Sequence, residues 1–132
     1  MGLIRTRITL SNPREPTLAP MEVDALVDTG SIHLCLPEHI RNQLKFNELY
    51  QREVTTADGR KHVCPYVGPI QVLFANRGRF TGAFVMGDEV LLGAIPMEDM
   101  DLVISPTSRS LTVNPDNPNI AGSMAKGVRR PY

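Results

Sequence analysis

Residues 23–31 read VDALVDTGS, and this stretch decides how the rest of the 132-residue chain is interpreted. Its apolar first half is typical of a β-strand, and the strand ends on the carboxylate of Asp28. A carboxylate in that position loses part of its hydration unless it is paired or hydrogen-bonded. Thr29, Gly30 and Ser31 follow it with hydroxyls and backbone N–H groups, and Gly30 permits a sharp turn.

The composition predicts one soluble domain without a global charge. A chain of 132 residues can bury one hydrophobic core but is too short for two ordinary domains. Lys and Arg number 14 and Asp and Glu number 14, so we expect no general attraction to nucleic acid or to a membrane surface. Cys35 and Cys64 lie among apolar residues, which favours a reducing, cytoplasmic setting over a disulfide framework. The sequence has neither a signal-peptide core nor an apolar run of membrane-spanning length, so we expect an unprocessed protein.

Alternating apolar and polar residues predict a mostly β domain. Pro37 favours a helix at 38–44, and Pro96 favours a short one at 97–100. Asp58-Gly59 is a strong hairpin signal, whereas Gly68-Pro69 predicts a break in the chain. The predicted strands are 2–10, 21–27, 32–36, 47–56, 62–67, 70–74, 80–86, 90–93, 102–104 and 111–113.

The composition changes after residue 113. From Asn114 onward the chain is rich in Pro, Asn and Gly and then in Lys and Arg. These residues disfavour regular elements, so we predict a domain at 1–113 and an extended or partly disordered tail at 114–132.

Three sequence features follow one another along the chain, and their order is informative. They are Asp28-Thr29-Gly30-Ser31 after an apolar strand, a hairpin turn at 57–60, and Leu91-Leu92-Gly93 near the end. In this order the chain resembles the retropepsin-like aspartic proteases, in the single-domain form found in microbes as well as retroviruses. The resemblance covers about Leu3 to Val113, and it implies a closed acid-protease β-barrel with one or two short helices and one lobe per chain.

The resemblance also implies a chemistry for the Asp-Thr-Gly loop. In that family two such loops face each other, and two carboxylates activate one water molecule. Asp28 matches the catalytic position, while Thr29, Gly30 and Ser31 match the residues that support the loop. Two carboxyl groups about 3 Å apart cannot both ionise, because their like charges repel each other. One carboxylate therefore acts as base toward water while its protonated partner polarises the scissile carbonyl. Because Ser31 adds a hydroxyl near the carboxylate, we expect activity to peak at acidic pH.

The number of motifs predicts the assembly. No second Asp in the sequence is followed by Thr or Ser and then Gly, so one chain holds half a site. A two-fold symmetric homodimer would place Asp28 beside the partner subunit's Asp28. We therefore expect a homodimeric aspartic endopeptidase that acts on a peptide or protein and needs no metal or other cofactor.

Family positions also imply which residues contact a substrate. The hairpin at 55–64 occupies the place of the flap, a mobile β-hairpin that closes over the peptide and excludes water. The apolar residues among the implied substrate contacts predict a preference for apolar substrate side chains. The implied substrate contacts are Gly30, Ile32, Cys35, Ala57, Asp58, Gly59, Leu91 and Leu92.

Other interpretations of the same residues stay open. The charged tip of the hairpin differs from the glycine-rich viral flaps, and a fold does not secure activity, so a catalytically silent dimerisation or peptide-binding module is the main alternative. The pairs His33-x-Cys35 and His62-x-Cys64 would allow a zinc site, although the chain lacks the usual Cys-x-x-Cys turn. Asp28 taken alone is also compatible with a turn-capping role.

Overall fold

The computed structural model describes residues 3–125, which form nine strands and two short helices. The helices are α1 (Glu38–Gln43) and α2 (Ala94–Asp99). The strands are β1 (Arg5–Ser11), β2 (Met21–Val27), β3 (Cys35–Leu36), β4 (Asn47–Thr55), β5 (Lys61–Phe74), β6 (Arg77–Val85), β7 (Val90–Leu92), β8 (Leu102–Ser105) and β9 (Ser110–Val113). The expected mostly β class with one or two short helices is confirmed.

Six of the strands close into a barrel. They follow the order β1-β2-β7-β3-β6-β5, and β1 pairs back with β5 to complete the ring. Closure leaves the barrel strands without a free edge. β4 pairs only with β5 and forms a hairpin with it, while β8 and β9 form a separate two-stranded sheet. The closed barrel expected from the sequence is therefore confirmed.

The core lies inside the barrel because one face of each strand is apolar. In β1, Ile8 and Leu10 are buried on one face, while Arg5 and Arg7 on the other face are exposed. α1 and α2 pack their apolar side chains onto the same core, including Ile40 and Met97. Among residues 3–125, no helix is both long and apolar enough to cross a membrane.

The prediction of a break at Gly68-Pro69 is wrong. β5 runs without interruption from Lys61 to Phe74. The register of its pairing with β6 shifts between Val67 and Ile70, so the strand passes Gly68-Pro69 through an irregularity in the ladder. Proline lacks the N–H that a regular ladder needs, and such an irregularity accommodates it.

Other element boundaries also differ from prediction. β6 begins at Arg77 instead of Phe80, because the turn before it is confined to Ala75 and Asn76. β3 contains only Cys35 and Leu36, because the preceding residues belong to an irregular loop instead of a strand. α2 begins at Ala94 instead of Met97, which places Pro96 in the first helical turn. Proline is tolerated there because the first N–H groups of a helix have no intrahelical partner.

The segment 114–125 contains no helix or strand, yet hydrogen bonds to Asp101, in the turn between α2 and β8, hold it in place. The Asp101 carboxylate accepts hydrogen bonds from Asn114 Nδ2 at 3.1 Å, Asn117 Nδ2 at 2.8 Å and the Gly122 N–H at 2.8 Å. The buried Arg77 also donates to the Asn117 carbonyl. The boundary at 113 and the tail stay predictions, and residues 126–132 of that tail lie outside the described part of the chain.

These hydrogen bonds predict a pH-dependent contribution to stability. The bond from the Gly122 N–H, followed by those from Asn114 and Asn117, lowers the pKa of Asp101. A lowered pKa in the folded state means that the ionised carboxylate stabilises the fold near neutral pH and loses this effect as the pH falls below the ordinary aspartate range. We therefore expect Asp101→Asn to unfold more easily than the wild type at pH 7, with a difference that shrinks toward about pH 3.

Denaturant unfolding at a series of pH values measures this difference. Asp116→Asn is the matched control, because Asp116 is exposed in the same C-terminal segment and its side chain holds none of these bonds. A difference between wild type and Asp101→Asn that stays constant with pH would contradict the prediction.

Candidate active site

Asp28 directly follows β2, and hydrogen bonds to β7 and within its own turn hold it in place. Its N–H donates to the Leu92 carbonyl at 3.0 Å, which extends the parallel pairing of Val27 with Leu92 by one residue. Its Oδ1 accepts a hydrogen bond from the Gly30 N–H at 3.0 Å. The Ser31 N–H donates to the Asp28 carbonyl at 3.1 Å. Strand pairing therefore sets the position of the residue, and the turn sets the orientation of its carboxylate.

The Asp28 loop (residues 28–34) is fastened to the chain that follows β7. The Ala94 N–H donates to the Ser31 carbonyl at 2.8 Å, and the Ile95 N–H donates to the Ile32 carbonyl at 2.9 Å. Gly93 lies so close to the loop that an added Cβ would stand 2.4 Å from the His33 carbonyl oxygen. A side chain at this position would have to displace backbone atoms. Gly93 thus permits the close approach that brings the loop against β7.

A cavity of about 500 Å³ lies between the Asp28 loop and the β4–β5 hairpin. Asp28 and Gly30 line it from the loop, and Thr56 and Ala57 line it from the hairpin. Phe84 of β6 adds part of the wall. Its volume falls in the range of ligand-binding clefts, and it holds a carboxylate whose orientation is fixed.

The cavity brings together most of the substrate contacts implied by the sequence, but not Leu92. Leu91 lines the cavity, whereas Leu92 is fully buried in the barrel core. Neighbouring residues of a strand face opposite sides, so these two leucines cannot both face the cavity. The implied contacts that do line it are Gly30, Ile32, Cys35, Ala57 and Leu91.

Asp58 and Gly59 lie at the exposed tip of the hairpin and do not line the cavity. The Asp58 carboxylate accepts hydrogen bonds from the Thr56 hydroxyl at 2.6 Å and from the Arg60 N–H at 3.0 Å. These bonds lower the pKa of Asp58, with the Thr56 hydroxyl as the largest cause. Gly59 has a φ of 83°, which glycine adopts without strain. Asp58 therefore shapes the turn.

The two hydroxyl residues of the Asp28 loop face different surroundings. Thr29 is exposed, while Ser31 lines the cavity. The Ser31 hydroxyl donates to the His33 carbonyl at 3.4 Å instead of to the Asp28 carboxylate. The stabilisation of ionised Asp28 by Ser31 that we expected from the sequence therefore has no direct hydrogen bond to support it.

The sequence analysis missed the cavity residues that come from β4. Arg52 and Val54 share one face of the hairpin and line the cavity, and the residues between and after them, up to Thr56, also contribute to its wall. The spacing of Arg52 and Val54 was visible in the sequence, but only the pairing of the hairpin shows which face turns toward Asp28. The other residues missed are His33, Glu53, Thr55, Phe84 and Met86.

Burial shifts the pKa values of two titratable groups in the cavity wall. Burial lowers the pKa of His33, and the Arg52 charge lowers it further, so this imidazole is neutral at pH 7. Burial also raises the pKa of the Cys35 thiol, and the nearby Ser31 hydroxyl opposes this effect only in part. Both groups are therefore uncharged at neutral pH and add no charge to the cavity wall.

The four residues of the zinc interpretation do not form one site. His62 is exposed, whereas Cys64 is buried beside Cys35 in a small cluster with Phe84. Within residues 3–125, no three His, Cys, Asp or Glu side chains come together in a group that could hold a metal ion.

Comparisons with known proteins identify the fold. No protein-family model matches the chain, and no curated protein matches it in sequence. Among solved structures, it is similar to the EIAV protease in complex with the inhibitor HBY-793, with a TM-score of 0.57 and 20% identity. The match covers 72% of this chain and 85% of that protease chain. The retropepsin-like fold expected from the sequence is thereby confirmed.

The close contact of Gly93 with the Asp28 loop gives a testable consequence. Gly93→Ala should lower the free energy of unfolding by about 1–3 kcal/mol, because the added methyl group must displace the backbone of Ile32 and His33. Chemical denaturation measures this loss. Gly78→Ala is the matched control, since the Cβ added there would meet the Leu73 side chain at 2.9 Å, and that side chain can move away. Equal stabilities of the two variants would show that Gly93 does not constrain the loop.

Proposed function

We propose that this chain is an aspartic endopeptidase that hydrolyses peptide bonds as a two-fold symmetric homodimer. The observation that carries the proposal is the position of Asp28, whose oriented carboxylate lies in a cavity of about 500 Å³ beneath a β-hairpin. The retropepsin-like fold supports it, although a fold alone would not be sufficient. The apolar wall from Ile32 and Leu91 supports a preference for apolar substrate side chains.

The proposed site requires a second copy of the chain. One chain supplies a single Asp-Thr-Gly loop, and the proposed mechanism needs two carboxylates. Thr29 is exposed beside Asp28, so its hydroxyl is available to a partner's loop. Ile32 and Ile95 are 58% and 45% exposed and join through their backbones at the same end of the barrel. A partner that covers this apolar surface would remove it from water.

The chemistry follows from placing two Asp28 carboxylates side by side. The pair holds one proton, because two like charges about 3 Å apart cannot both ionise. The ionised carboxylate takes a proton from water as the water oxygen attacks the carbonyl carbon. The protonated carboxyl group stabilises the charge that develops on the carbonyl oxygen. The carboxyl group that took the proton from water then passes a proton to the nitrogen as the C–N bond breaks. The bond from the Gly30 N–H to Asp28 Oδ1 holds the carboxylate in orientation for these transfers.

A catalytically silent peptide-binding module on the same fold is the second candidate function. The charged hairpin tip favours it, because Asp58 hydrogen-bonds within the tip instead of contacting the cavity. Such a module would bind peptides in the cavity without cleaving them. For either function we propose a reducing, cytoplasmic setting, in which the thiols of Cys35 and Cys64 stay free.

Cleavage of a diverse peptide library separates the two functions. We expect the wild type to cleave peptides between apolar residues, faster at acidic than at neutral pH because the carboxylate pair works with one shared proton. Asp28→Asn keeps the shape of the side chain but removes the base, so the rate should fall roughly a thousandfold or more. Mass spectrometry of the products measures both rates.

Asp24→Asn is the control for this substitution. Asp24 is an exposed carboxylate on the same strand and pairs with Arg7 at 3.0 Å, outside the cavity. It should retain wild-type activity. Equal cleavage rates for wild type and Asp28→Asn would exclude the protease, and binding without any cleavage would favour the silent module.

Mixing subunits tests the requirement for a dimer. If each active site needs Asp28 from both chains, an exchanged equal mixture of wild type and Asp28→Asn should keep about one quarter of the activity of the same total amount of wild type. Sedimentation at increasing concentration measures the association directly. A protein that stays monomeric yet cleaves peptides, or a mixture that keeps half of the activity, would contradict the shared site.

A further inference from the structure

We infer that Arg52 makes this cavity selective for peptides that carry an acidic side chain next to their apolar ones. The inference rests on the proposed function in one respect, since it assumes that a peptide occupies the cavity. It adds a charged substrate class to the apolar preference that Ile32 and Leu91 support.

The position of Arg52 is set by an aromatic wall. Its guanidinium carbon lies 5.9 Å from the centroid of the Tyr66 ring and 5.8 Å from that of Phe84. The two rings meet edge to face at 5.2 Å, and His33 packs against Phe84 in the same manner at 5.1 Å. Contacts of a cation with aromatic faces at these distances are attractive. These contacts favour a position of the exposed Arg52 side chain over the rings on the cavity wall.

Gly82 allows the Tyr66 ring of the aromatic wall to pack closely against β6. A Cβ added to Gly82 would lie 2.4 Å from Cε2 of Tyr66, so the ring rests directly on the backbone of β6. Without this contact Tyr66 would stand farther from the barrel and the guanidinium would lose its support. The sequence thus places a residue without a side chain where the wall needs its closest packing.

Arg52 carries a charge that the described part of the chain leaves unpaired. Within residues 3–125 none of the ion pairs includes it, although other cations of the hairpin are paired. Arg60 lies 3.7 Å from Asp58, and Lys61 lies 3.8 Å from Glu53. The N–H donors of the Arg52 guanidinium are therefore open to a ligand, and their planar arrangement matches a carboxylate.

The other charged groups of the cavity do not take this role. Glu53 also lines the cavity, but its carboxylate is near Lys61, and Asp28 has its own hydrogen bond from Gly30. His33 is the only other basic side chain on the wall among the described residues. Because His33 is neutral at pH 7, the wall carries its single positive charge on Arg52. A peptide carboxylate that reaches Arg52 gains a charge-assisted hydrogen bond.

Peptide binding to Asp28→Asn tests the inference without requiring catalysis. The probes are pairs of short peptides with a central Leu-Leu, in which Glu or Gln occupies each other position in turn. At one or more positions we expect the Glu peptide to bind about three- to tenfold more tightly than its Gln counterpart, as one partly exposed charged contact provides. The ratio should shrink as salt is added, because screening weakens the charge interaction. Fluorescence anisotropy of labelled peptides measures the affinities.

Substitutions of Arg52 in the same Asp28→Asn background assign the effect to this residue. Arg52→Gln should abolish the Glu preference, and Arg52→Glu should reverse it, while Arg52→Lys should retain part of it. Arg60→Gln is the matched control, since it removes a positive charge from the same hairpin outside the cavity. This control should keep the full preference. Thermal unfolding of every variant verifies that it is folded.

The inference is overturned if no peptide binds, if Glu and Gln peptides bind equally, or if the preference persists in Arg52→Gln. Loss of the preference in Arg60→Gln to the same extent would also overturn it, because a general field of the hairpin would then be the cause. Failure of the wild type to cleave any peptide contradicts the proposed protease but leaves the binding ratios unchanged. The two proposals therefore fail in different measurements.

Discussion

The hydrogen bond between the Asp28 N–H and the Leu92 carbonyl is the constraint on which the site depends. It continues the parallel pairing of β2 with β7, and the bonds from Ala94 and Ile95 to the Asp28 loop extend the same contact. Gly93 allows the two chain segments to approach this closely. The carboxylate of Asp28 is consequently carried by the rigid barrel and not by a free loop, which is the arrangement that precise chemistry requires.

The cavity above this carboxylate joins two parts of the chain with different mechanical properties. The barrel is closed, so its strands hold one another, whereas β4 is paired on one side only. A hairpin of this kind can move relative to the barrel while its inner face keeps its pattern of side chains. Arg52 lies on that inner face and rests on aromatic rings anchored in β5 and β6. A carboxylate fixed on the barrel, opposite a hairpin that is paired on one side only, suits the peptide binding that we propose.

Local sequence patterns were sufficient for much of the fold. β2 was predicted at 21–27 and is observed at Met21–Val27, because alternating burial and the following Thr-Gly turn mark both of its ends. The start of α1 at Glu38 and the turn at Asp58-Gly59 were also visible in local signals. The path of β5 through Gly68-Pro69 was not, since its pairing with β1, β4 and β6 outweighs the local tendency to break.

By itself, the sequence determined the strand that carries Asp28, the turn that orients its carboxylate and the single copy of the motif. Tertiary structure decided that Leu91 lines the cavity while Leu92 fills the core, and that Arg52 lies above Phe84. The physical reason is the range of the interactions. Turns and alternation act between neighbours in the chain, whereas the direction that a strand face takes depends on partners far away in sequence, which barrel closure brings together.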